Sequence, residues 1–150
     1  MRAICLRLAA AGFVASAALH LLSFTPWLSF TPWASLAGER AVWALGALVF
    51  ALAAVMVARL RRTAALGRRW ARVAVYDWRA LARAVPPGLQ LLVVGAALYA
   101  WMNFVLCLLL EPAALPPGAI SLRMASGHLI FFFLVPLVFF RWVDTPMPFR

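Results

Sequence analysis

Four long apolar stretches, Leu8 to Phe24, Ala41 to Ala58, Leu89 to Leu110 and Ala125 to Trp142, decide what this chain can fold into. Each holds about 17–22 residues, enough at roughly 1.5 Å per residue to cross a hydrocarbon core about 30 Å thick. With their flanks they predict helical spans at about 5–24, 40–59, 88–110 and 122–142. Hydrophobic residues make up 67% of the 150-residue chain and charged ones only 12%. Soluble domains average about 45–50% apolar, so lipid is the solvent this composition suits. A soluble enzyme, a disordered chain, a coiled coil and a disulfide-stapled secreted domain are excluded on this ground. The expected fold is all-α: an integral membrane protein in which residues 1–150 form a single domain, an up-down bundle of four transmembrane helices.

Charge placement sets the expected orientation. All 14 basic residues are Arg. Eight of them, Arg59, Arg61, Arg62, Arg68, Arg69, Arg72, Arg79 and Arg83, lie between the second and third stretches. Arg2 and Arg7 precede the first stretch, and Arg141 and Arg150 lie at or beyond the end of the fourth. The positive-inside rule makes these three segments cytoplasmic, with both termini inside. The other two connections, carrying Glu39 with Arg40 and Glu111 with Arg123, are near neutral and suit the outer side. Anionic headgroups at the inner face account for the formal charge of +10, and nucleic acid is an unneeded partner. Arg without Lys, together with heavy Ala use, points to a GC-rich bacterial genome and hence to the inner membrane.

Turn residues fall between the stretches: Pro26 and Pro32 after the first, Pro86, Pro87 and Gly88 before the third, and Pro112, Pro116, Pro117 and Gly118 after it. Pro136 alone falls inside a stretch and predicts a kink there. Arg2, Arg7 and the small residues Ala15, Ser16 and Ala17 resemble a cleaved signal. The apolar run continues past them, however, so a retained signal-anchor helix is expected. Cys5 and Cys107 belong to opposite leaflets and are too distant for a disulfide. A short repeat, Ser23 to Trp27 followed by Ser29 to Trp33, reads as a Trp anchor at the outer surface. In the long inner loop Arg68, Arg72, Arg79 and Arg83 share one helical face, while Leu66, Trp70, Val73 and Leu81 share another. That pattern predicts an amphipathic interfacial helix whose Arg residues reach lipid phosphates, or alternatively dock a protein.

Within the spans, Ala44, Ala47, Ala51, Ala54 and Ala58 form a small-residue seam suited to close helix packing. Gly12, Ser16 and His20 form a second stripe, and Gly95, Tyr99, Asn103, Cys107 and Glu111 a polar ridge. His20 and His128 lie at matched depths in the outer half, roughly 8 and 10 Å from their helix ends, with Asn103 at a similar level. In an up-down bundle the first and fourth helices are neighbours. The two histidines could therefore face each other near Tyr99, Asn103 and Glu111. Two facing imidazoles are the axial ligand set of a haem b that carries one electron, and this arrangement resembles that of bis-histidine membrane cytochromes. Phe131 and Phe132 would wall such a ring, Gly12 and Ser16 would make room for it, and Arg123 or Arg40 would meet its propionates. A quinone pocket on His and Tyr is also compatible. Zinc on His20, His128 and Glu111, or copper on Met124, Met102 and Cys107, is a poorer ligand set.

No Gly-rich phosphate loop, His-Glu-x-x-His helix, Cys-x-x-Cys pair or Ser-His-Asp set can be assembled, and an enzyme is not expected. The sequence points first to a small inner-membrane accessory or structural subunit. Its Ala seam and basic inner helix would dock on a larger membrane complex. The alternative is an electron carrier holding haem b, or a quinone or metal site, at His20 and His128.

Overall fold

A computed structural model describes residues 1–25, 32–65, 85–109 and 117–143. They form four helices: α1 (Arg2–Leu22), α2 (Pro32–Ala65), α3 (Pro87–Leu109) and α4 (Pro117–Val138), the last running on into a short π-helix, Phe139–Val143. All four are long and apolar enough to cross a membrane. The Arg68, Trp70, Arg72, Arg79 and Arg83 face of the inner loop lies outside the described residues, as do Glu111 and most of the Trp repeat.

Proline sets three of the four beginnings. Pro32, Pro87 and Pro117 each occupy the first helical position, where a missing N–H costs nothing and the fixed φ is already helical. Hydroxyl groups close α1: Ser23 Oγ donates to the His20 carbonyl at 2.6 Å and Thr25 Oγ1 to the Leu22 carbonyl at 2.7 Å. Helices α2 and α4 begin several residues before the apolar stretches, because backbone hydrogen bonding does not stop where hydropathy falls. α4 runs through Pro136, whose ring nitrogen cannot bond the Phe132 carbonyl, and widens into the π-helix three residues later. There Arg2 Nε donates to the Phe140 carbonyl at 2.7 Å and Arg2 Nη2 to the Arg141 carbonyl at 3.1 Å. A cation thus satisfies carbonyls that the end of the helix leaves open.

α4 is the hub. It packs on α1, α3 and α2, α1 touches α2 more lightly, and α2 and α3 make no substantial contact. Two different kinds of contact hold the parts together. An apolar core joins α1, α2 and α4 through Cys5, Ala9, Leu52, Leu129, Phe133, Phe139 and Phe140. Gly12 lies against the Phe133 ring so closely that a Cβ there would overlap it. α3 contributes no buried residue to that core. It buries only Ala100, Asn103 and Cys107, and Tyr99 and Asn103 add hydrogen bonds to α1 and α4.

The Ala seam of α2 lies on the bundle surface, with Ala44, Ala47, Ala51, Ala54 and Ala58 all exposed. Leu45, Leu48, Leu52 and Met56 face the core instead. The larger side chains pack inward and the small residues are left outside.

Candidate functional site

His20, one turn before the end of α1, is 3% exposed. Its Nδ1 lies 2.9 Å from Ser126 Oγ on α4, and its Nε2 bonds the Tyr99 hydroxyl on α3. Ser126 has a single hydroxyl proton, donated to the Arg123 carbonyl at 3.2 Å. His20 Nδ1 therefore carries the ring proton and donates to Ser126 Oγ, while Nε2 accepts from the Tyr99 hydroxyl. Three helices thus meet on one neutral imidazole.

Asn103 extends the network. Its Nδ2 donates to the same Arg123 carbonyl at 3.1 Å. The Cys107 thiol lies 3.9 Å from Asn103 Oδ1. Gly127 is required by this closeness, since a Cβ there would lie 2.5 Å from Asn103 Nδ2 and 3.2 Å from His20 Cε1. Arg123 itself points toward the end of α1, where Nη2 donates to the Ser23 carbonyl at 3.1 Å and the guanidinium lies 4.1 Å from the centre of the Phe24 ring. Its Nε is buried without a hydrogen-bond partner, as is Ser16 Oγ further down α1.

His128 belongs to a different environment. Its Nδ1 donates to the Met124 carbonyl of its own helix at 2.8 Å. Its ring meets Phe104 edge-on, with centroids 5.7 Å apart, and lies near Phe132. Ser126, not His128, is the α4 residue that reaches His20. His20 reaches Ser126, two residues before His128, so the two histidines lie at similar levels of the bundle, but their contacts are different.

This arrangement does not fit a bis-histidine haem b, nor a metal shared between His20 and His128. Both ring nitrogens of His20 are committed to Ser126 and Tyr99, and a ligand bond would have to break one of them. The room expected beside Gly12 is filled by Phe133. Phe132 is 45% exposed and turned outward. The copper set is scattered as well, with Met102 exposed on α3 and Cys107 engaged with Asn103. Among the described residues no three His, Cys, Asp or Glu side chains converge.

Tyr99 and Asn103 were legible from their ridge at steps of four. Ser126, Ser23 and Gly127 were not singled out as a site, although a hydroxyl and a glycine beside the most polar line of the chain were the available signal. Compared with models of protein families, with curated proteins and with solved structures, the chain matches none.

Proposed function

We propose that this chain is a non-catalytic subunit of a bacterial inner membrane, arranged up-down with both termini in the cytoplasm, which works by docking on a larger membrane partner. The outward Ala face of α2 carries this reading. A transmembrane helix gains nothing from the hydrophobic effect by packing on another, so close backbone approach through small residues is what favours association. Here five Ala residues at steps of three and four lie exposed, and Gly46 between them has nothing within 4 Å of where a Cβ would be. Trp43 and Phe50, 73% and 79% exposed, give the face bulky flanks. The occupant we assign is a transmembrane helix of a different subunit, with the basic inner loop meeting its cytoplasmic part or the anionic lipid beside it. The His20 network serves this role by fixing α3, which the apolar core does not hold.

The test is assembly size in mild detergent. Ala47→Leu with Ala51→Leu should leave thermal stability within about 0.5 kcal/mol, as expected for surface positions, but reduce a large wild-type assembly to the lone chain. A wild type that already runs alone, or a double variant that keeps its assembly, overturns docking through this face. Wild-type particles containing only this chain would make the partner a second copy, and the assignment to another subunit would fail.

Orientation has its own check. The start of α1 and the end of α4 meet through Arg2, which supports placing the two termini on one side. A reporter fused after Arg150 should read cytoplasmic, and one inserted near Leu36 should read external. The reverse result would set twelve of the 14 Arg residues against the positive-inside bias.

A further inference from the structure

Because α2 and α3 do not pack on each other, one face of α4 is left open between them. Ser121 and Phe132 on that face are exposed, and Met124, Ala125 and His128 are partly so. Toward the start of α4, a cleft of about 360 Å³ between α2 and α4 is lined by Glu39, Trp43, Ser121 and Met124. His128 lies one helical turn beyond Met124 on the same open face of α4, beyond the residues that line the cleft.

The chemistry of His128 is more specific than its position. Donation from Nδ1 to the Met124 carbonyl places a proton on Nδ1, so the neutral ring presents Nε2 as a bare lone pair. Among the described residues that atom has no hydrogen-bond partner. At this depth water is scarce, so an acceptor without a donor is costly. What would satisfy it must reach the groove through lipid, carry an N–H or O–H, and fit between flat apolar walls. The walls are aromatic: Phe104 presents its edge to the imidazole, and Phe132 lies beside it at 33°.

We infer that this groove binds the head group of a membrane quinol, whose ring hydroxyl donates to His128 Nε2 while its ring lies against Phe132. The oxidised quinone offers only carbonyl acceptors and would set lone pair against lone pair. A site that can only accept therefore discriminates between the two redox states of one ligand. This inference shares with the proposed function its membrane setting, but it is independent of docking through α2, which the Ala47 and Ala51 variants test separately.

The experiment uses the full chain in phosphatidylcholine nanodiscs, labelled with ring-¹⁵N histidine and titrated with a short-tailed p-benzoquinol or the matching p-benzoquinone. The Nε2 resonance of His128 should shift on adding the quinol while the resonances of His20, sealed between Ser126 and Tyr99, stay in place. The quinol should bind about tenfold more tightly than the quinone, the worth of one hydrogen bond at about 1.4 kcal/mol per decade. His128→Phe keeps an aromatic ring in the groove and should abolish that preference. Equal affinity of the wild type for quinol and quinone overturns the inference, as does a preference that survives in His128→Phe. An Nε2 shift produced by phosphatidylethanolamine alone, without quinol, would identify a lipid ammonium as the donor and also overturn it. The wild-type resonances decide the matter even if the variant fails to fold.

Discussion

Gly12→Val is expected to destabilise the protein by about 3 kcal/mol, the upper end for forcing volume into a closed core. The new Cβ would overlap the Phe133 ring. Phe133 cannot step aside, because it is fully buried among residues of α1, α2 and α4. Phe133→Leu alone should cost about 1.5 kcal/mol by loosening the same contact, near the limit for swaps that roughly keep volume. The two changes together should cost clearly less than their separate effects added, since the smaller side chain makes room for the valine. Reversible unfolding in mixed micelles across this double-mutant cycle measures the coupling. A Gly12→Val protein as stable as the wild type would mean that α1 and α4 are not in contact at this level.

His20→Ala is expected to cost a similar amount, about 3 kcal/mol: two hydrogen bonds are lost, a cavity opens, and Ser126 and Tyr99 lose their partner. Tyr99→Phe and Ser126→Ala should each cost about 1 kcal/mol, within the range measured for hydrogen bonds between membrane helices. The readout that separates a clasp from ordinary packing is local. Tyr99→Phe should raise amide exchange in α3 more than in α1 or α2, because α3 adds nothing to the apolar core that joins the other three helices and is tied to α1 and α4 by Tyr99 and Asn103. Uniform exchange over all helices would show that α3 is held by its apolar face instead.

Depth and azimuth differ in how well they are written in such a chain. The four helices could be read directly, because a span must be apolar along its whole length and prolines mark its ends. The level of His20, Tyr99, Asn103 and His128 followed from counting residues at a fixed rise. Which way each side chain points did not. In water an apolar stripe identifies the inward face of a helix, whereas in lipid Ala and Leu are at home on either face and that signal is absent. The seam of α2 marks a packing surface without saying which way it points, and it lies outward. His128 was paired with His20, although Ser126, two residues earlier and about 200° around α4, is the residue that arrives. Polar residues gave the better guide. The Tyr99 and Asn103 ridge does face its neighbours, because a hydroxyl and an amide need partners that hydrocarbon cannot supply.

The hub position of α4 bears on how the chain is made. It is the last of the four helices to leave the ribosome, yet each of the others depends on it for most of its neighbours. Until it arrives, α1 and α2 have only a light mutual contact, and α3 has none of weight with either. His20 and Asn103 would meanwhile wait without Ser126 and the Arg123 carbonyl. Assembly is then close to a single event at the end of translation, with no stable half-built bundle before it. A chain truncated before residue 117 should be a substrate for membrane quality control, whereas one truncated after residue 143 and released keeps every inter-helix contact described above.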